Sequence, residues 1–202
     1  MRLGYPAAVR RWIRVHADSL FRHRLFELRR EQLASADGSR REALVLDAPA
    51  WVNVVALGAD DRVLLVRQWR FGTAQPTLEI PGGMVDAGET PLAAAARELH
   101  EETGYRAARW TLLGEVEPNP AFLTNRCTTF LAEGLERLGD PPGDGEEEIA
   151  VESAARGELE TLVTSGAIRH SLVIAAFYLF ESHRRGARAG GDASAGAEPG
   201  AP

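Results

Sequence analysis

The chain has 202 residues, 45% of them hydrophobic, and carries 23 basic against 29 acidic side chains for a formal net charge of −6. That length supports one substantial core and gives no reason for a second, and the negative balance disfavours nonspecific binding to nucleic acid or to an anionic membrane. A lone Cys127 excludes an internal disulfide and a cysteine-built zinc site, and His16, His23, His100, His170 and His183 lack the spacing of metal ligands.

In chain order, residues 1–18 are arginine-rich and are expected to be helical or frayed. Short apolar or alternating runs predict strands near 21–34, 41–47, 51–57, 62–69, 77–80, 109–117 and 127–134, with Asp60-Asp61 turning a hairpin. A helix is predicted after Thr90: the threonine can cap it, Pro91 suits its first position, and Gly104 can end it in a left-handed conformation. Leu92, Ala95, Ala96, Leu99 and Thr103 would form its small apolar face. From Ala150 the pattern reads as helical, with 157–165 and 171–184 as the candidates. The apolar run Leu172 to Phe180 is too short to span a bilayer and the N-terminus lacks a signal-peptide core, so a cytoplasmic location is expected. Residues 186–202, rich in Gly, Ala and Pro, are expected to be disordered. The expected organisation is an N-terminal arm over 1–48, a domain over 49–185 and a tail over 186–202. Strands flanked by helices on both sides predict an α/β/α sandwich with a mixed sheet.

The densest chemistry lies between Gly83 and Tyr105. Glu98, Glu101 and Glu102 stand at i, i+3 and i+4 on one helical turn, where like charges destabilise an isolated helix. Arg97 can pair with Glu101, which leaves two carboxylates for a cation, and clustered oxygen ligands suit Mg²⁺ or Mn²⁺. The loop in front, Pro81-Gly82-Gly83 and then Asp86-Ala87-Gly88-Glu89, lets backbone approach a ligand closely. Together they point to metal-bound phosphate chemistry. Bound cations lower the pKa of a water, clamp phosphate oxygens and neutralise charge that develops on the leaving group.

Gly83, Glu89, Arg97, Glu98, Leu99, Glu101, Glu102 and Gly104 stand in the register G-x5-E-x7-R-E-U-x-E-E-x-G-U, with Tyr105 at the last bulky position. This resembles the Nudix hydrolase signature, whose family hydrolyses nucleoside diphosphates linked to another moiety. The resemblance implies that Glu98, Glu101 and Glu102 bind or orient divalent cations and that the backbone carbonyl of Gly82 adds a ligand. Arg97 is expected to hold Glu89 and the glutamate cluster in place rather than touch substrate.

Outside this box, Arg40-Arg41-Glu42 precede one strand, Gln68-Trp69-Arg70 end another, and Glu79-Ile80-Pro81-Gly82-Gly83 lead into the box. That layout is similar to the ADP-ribose pyrophosphatase branch of the family. The resemblance implies that Arg41 and Arg70 contact substrate, joined by Gly83 and by Pro120, which lies 16 residues after Gly104 like a proline marker of the branch. The run around Pro118-Asn119-Pro120-Ala121 and Asn125-Arg126 departs from the branch pattern and is closer to relatives acting on several nucleoside diphosphate sugars. In the branch a glutamate on a mobile loop acts as general base. The acidic loop Gly143 to Ile149 offers Glu147 for that role, flanked by Glu146 and Glu148; in other branches a box glutamate serves, for which Glu101 is the candidate. The branch also exchanges its N-terminal sheet across a homodimer, which matches the apolar Leu20, Phe21, Leu25, Phe26 and Leu28. The expected activity is cation-dependent hydrolysis of ADP-ribose or a related nucleoside diphosphate sugar to a nucleoside monophosphate and a sugar phosphate. A nucleoside triphosphate pyrophosphatase is the alternative. A noncatalytic sensing module is disfavoured, because such domains usually lose box carboxylates and this chain keeps all of them.

Overall fold

The computed structural model describes residues 9–142 and 148–194, with side chains to residue 186. The chain divides into two compact units, one made of residues 1–49 with 117–125, the other of 50–116 with 126–202.

The first unit is a three-stranded antiparallel meander of β1 (Ile13–His23), β2 (Phe26–Ala34) and β3 (Arg40–Asp47). The single strand expected over 21–34 is two strands meeting at a turn between His23 and Phe26, and 13–18 is extended rather than helical. The reason is local: Ile13, Val15 and Ala17 alternate with the polar Arg14, His16 and Asp18, a period of two that the neighbouring arginines obscure. Those arginines pair across the strands, Arg14 with Glu31 at 3.0 Å and Arg22 with Glu27 at 2.9 Å, as opposite charges on facing strands do. Residues 117–125 belong to this unit because the Leu46 amide donates to the Phe122 carbonyl at 2.8 Å and the Thr124 amide to the Leu46 carbonyl at 3.1 Å.

The second unit holds β4 (Trp51–Leu57), β5 (Arg62–Arg70), β6 (Gln75–Glu79), β7 (Tyr105–Val116), β8 (Cys127–Arg137) and β9 (Ala150–Ala155), with helices α1 (Pro91–Thr103), α2 (Leu159–Thr164) and α3 (Ser171–Ser194). The sheet order is β6-β5-β4-β8-β7 with β9 on β5; β4 and β8 run parallel and the other pairs antiparallel. Strand β4 explains the layering. Val52, Val54 and Ala56 pack with Ala94, Ala95 and Leu99 of α1, whereas Val55 and Leu57 pack with Val173, Ala176, Phe177 and Phe180 of α3. A strand covered on both faces reads as a continuous apolar run, and the result is the expected α/β/α arrangement. Two expectations fail here. Residues 150–155 form a strand, because Arg67–Glu152 and Arg62–Ser153 contacts tie it to β5 while its small side chains carry no clear period. Helix α3 runs through Ser194, into the segment expected to be disordered, since extending an anchored helix costs less than starting one. No helix among the described residues is long and apolar enough to cross a membrane.

Strand β4 meets β5 only at Leu57 and Val63. The rest of that edge is taken by the glycine loop: Val52 N–H donates to Gly83 O at 2.9 Å, Val54 N–H to Pro81 O at 2.8 Å, and Val85 N–H to Ala50 O at 2.9 Å. The loop thereby occupies the edge of β4 that a neighbouring strand would otherwise pair.

Candidate active site

The loop needs its glycines for space. A Cβ on Gly82 would collide with the Val52 carbonyl, and one on Gly83 with the Glu98 carboxylate. The backbone of Pro81–Gly83 is thus wedged between β4 and the glutamates of α1.

Helix α1 forms as its ends dictate. Thr90 Oγ1 accepts from the Ala93 amide at 3.2 Å, Pro91 takes the first turn, and Gly104 closes the helix at φ 74° with its N–H on the His100 carbonyl. The buried face is Ala94, Ala95, Leu99, Glu102 and Thr103, while Leu92 and Ala96 are exposed. The expected apolar stripe is rotated because Glu102 is drawn inward. It is 6% exposed, and its Oε2 accepts the Gly82 N–H at 3.0 Å. A buried carboxylate must be hydrogen-bonded, and the loop supplies the donor.

Arg97 binds the remaining carboxylates together. Its Nε and Nη2 reach Glu89 at 3.2 and 3.1 Å, its Nη1 reaches Glu98 at 2.8 Å and Glu101 at 3.0 Å, and Nη2 also donates to the Met84 carbonyl at 2.9 Å. The planar fork suits such multiple recognition. Arg97 is held above its ordinary range, chiefly by hydrogen bonding to Glu89 against the opposing effect of burial, and its hydrogen bond pulls Glu89 below the usual carboxylate range. One guanidinium thus offsets the repulsion among Glu89, Glu98 and Glu101, while Glu102 is satisfied by the Gly82 amide.

Every potential ligand here is oxygen, the donor set of a hard divalent cation. Among the described residues no three His, Cys, Asp or Glu side chains close into a ready cage. The cramped backbone at Gly82 and Gly83, with the Glu98 carboxylate against it, also fits a site where a carbonyl and carboxylates meet an ion.

A second cluster stands behind the loop. Glu79, 3% exposed, accepts a two-pronged bond from Arg70 at 2.9 and 2.8 Å and one from Thr77 at 2.6 Å. Burial pushes Glu79 up, but the bonds from Arg70 and Thr77 outweigh it and hold the carboxylate below its usual range. The Arg70 guanidinium also lies 6.0 Å from the Trp51 ring centre. Burial lowers His170, which feels the charges of both Glu79 and Arg70.

Comparison with known proteins decides the family. Residues 48–177 match the model of the NUDIX domain. The chain belongs to the Nudix family. It is 31% identical over 163 residues to an ADP-ribose pyrophosphatase of Mycobacterium tuberculosis, covering 80% of this chain and 79% of that one. It is 36% identical over 131 residues to an ADP-sugar pyrophosphatase of Mus musculus, covering 58% and 57%. Among solved structures, an ADP compounds hydrolase superposes with a TM-score of 0.78 at 23% identity, over 90% of this chain and 98% of that one, which shows the Nudix fold.

The Nudix box therefore comes together as one site: Gly82, Gly83, Glu89, Arg97, Glu98, Glu101 and Glu102. Arg70 stands nearby in its pair with Glu79. Arg41 lies in the first unit on β3, exposed, its guanidinium 5.3 Å from the Trp12 ring centre, and with Gln32, Leu33, Arg40 and Glu42 it lines a cleft of about 300 Å³. Pro120 is exposed in the 117–125 segment of the same unit. Glu148 is exposed just before β9, and Glu146 and Glu147 lie outside the described residues. Sequence reasoning missed Asn53, Thr77 and His170. None carries a local signal, because each matters only through strands and loops distant in the chain.

Proposed function

We propose that this Nudix chain hydrolyses the pyrophosphate of ADP-ribose or a related nucleoside diphosphate sugar, using Mg²⁺ or Mn²⁺. Water attacks one phosphorus, the bridging P–O bond breaks, and a nucleoside monophosphate and a sugar phosphate leave. The observation that carries this reading is the Gly82 peptide seated between β4 and Glu102, next to Glu98 and Glu101 on one Arg97 fork. The similarity to enzymes named for ADP-ribose and ADP-sugars supports the substrate class. Nudix hydrolases generally require divalent cations. Glu98, Glu101, Glu102 and the Gly82 carbonyl would hold the ion, which when bound lowers the pKa of water and offsets charge on phosphate oxygens.

The chain's own groups do the rest. Arg97 fixes the carboxylates so that none must reorganise during reaction. Glu147 takes the proton from the attacking water, with Glu146 and Glu148 beside it and Glu101 as the box alternative; the acidic run leading into β9 supports this role. Gly83, Arg70, Arg41 and Pro120 contribute to substrate binding, Arg41 through a guanidinium with no carboxylate partner among the described residues. The exposed apolar residues of β1 support a homodimer through the first unit, and a nucleotide-sugar substrate suits a cytoplasmic enzyme.

The test is a Mg²⁺-dependent assay across ADP-ribose, GDP-mannose, UDP-glucose, ADP-glucose and the nucleoside triphosphates. Preference for a diphosphate sugar supports the reading, and preference for triphosphates replaces it with a triphosphate pyrophosphatase. Glu147→Gln is expected to cut kcat while leaving KM within about twofold; an unchanged kcat removes Glu147 from the mechanism.

A further inference from the structure

Gly82 is bonded on one side and closely approached on another, and the residue that approaches it lies outside the box. Its N–H goes to Glu102 of α1. On the opposite side stands Asn53 of β4, 3% exposed: a Cβ built on Gly82 would lie 2.9 Å from Asn53 Oδ1 and 3.2 Å from its Cα. The Nδ2 of Asn53 donates to the Leu172 carbonyl, in the first turn of α3, at 3.1 Å. Alternation along β4 turns Asn53 toward the α3 side of the sheet, with Val55 and Leu57. The start of α3 is itself fastened, since Arg169 donates to Gln75 of β6 at 2.9 Å and the His170 carbonyl accepts from the Val173 and Ile174 amides, each at 3.1 Å. Hydrogen bonds thus tie Asn53 to α3 and Gly82 to Glu102 of α1, and the space beside Gly82 where a side chain would go is taken by the Val52 carbonyl and by Asn53.

We propose that Asn53 is a positioning residue: anchored to the first turn of α3, it sets the Gly82 peptide, and with it the carbonyl offered to the cation. An apolar side chain would fill the volume equally well but leave the Leu172 carbonyl without this donor. Asn53 is the polar residue in the otherwise apolar run of β4, and its role is to fix a geometry, as partners standing behind metal ligands do. This rests on the reading of Gly82 as a cation ligand.

The experiment measures Mn²⁺ binding directly, by electron paramagnetic resonance of the free ion, in wild-type protein, Asn53→Ser and Val55→Ala. Val55 is fully buried on the same strand and serves as a control for simple loss of packing. Asn53→Ser is expected to bind Mn²⁺ about tenfold more weakly, with kcat falling more than KM changes, while Val55→Ala binds as wild type despite a lower melting temperature. Equal Mn²⁺ affinity in the two variants overturns the proposal. If Asn53→Ser does not fold, Asn53→Leu, which keeps the volume and loses the donor to Leu172 without adding charge, decides by the same readout. Wild-type protein that binds no Mn²⁺ would instead remove the metal reading, and this inference with it.

Discussion

The two units of this chain satisfy their backbones alike and their apolar side chains very differently. In the first unit the only buried described residue is Glu31, at 8% exposure, while Ile13, Val15, Phe21 and Leu44 are all more than half exposed. Every buried hydrophobic residue among the described ones lies in the second unit, and all but Val66 and Cys127 fall in two clusters on either side of β4. Strand pairing alone leaves a three-stranded sheet marginal, since burial of apolar area is the main favourable term. The first unit therefore gains most from a partner surface, whereas the second is complete enough to hold buried charges such as Glu79 and Glu102.

The comparison breaks first at the second unit's site. Glu102→Gln is expected to lower kcat by about 10³-fold with little change in melting, because the amide oxygen can still accept the Gly82 N–H; full activity would sink its assignment as a ligand. Arg70→Ala leaves the buried Glu79 carboxylate without its main partner and is expected to cost roughly 3 kcal/mol in denaturant unfolding. A loss below about 1 kcal/mol would mean that Glu79 is relieved another way, such as by uptake of a proton.

At the first unit, Phe21→Arg places a charge on the exposed apolar surface of β1. Light scattering is expected to show half the wild-type mass at micromolar concentration, with the melting of the second unit unchanged. Wild-type protein that is already a monomer would refute the dimer.

The smallest expected effect is on pH dependence. His170 has a folded pKa below its ordinary value of 6.5, so the folded state resists its protonation. Its contribution to stability is complete above about pH 6.5 and is lost as pH falls through the lower folded value. His170→Asn is expected to flatten the stability profile between pH 6.5 and the lower folded value, as read by urea midpoints at several pH values. An unchanged slope would show that other groups carry it.

The box helix was legible because its signals are local: Thr90, Pro91 and Gly104 mark its ends within one short stretch, and the spacing of the glutamates fixes their face. Its orientation was not legible. Helical spacing placed Leu92 and Ala96 on the buried side, but the Gly82 amide turns Glu102 inward and leaves them exposed. Strands β1 and β9 were lost for a related reason, since β1 hides its alternation among arginines and β9 shows its nature only against β5.

The sequence by itself determined the chemistry of this protein: which carboxylates cluster, which glycines precede them, and where the helix that carries them begins and ends. These follow from contacts a few residues apart, where bond geometry and hydrogen bonding leave little choice. Only the tertiary structure decided that Arg97 gathers Glu89, Glu98 and Glu101, that Arg70 pairs with Glu79, and that Asn53 lies beside Gly82. Those pairings join residues from different strands and helices, and which of many possible partners a buried charge or amide meets is settled by packing rather than by spacing along the chain.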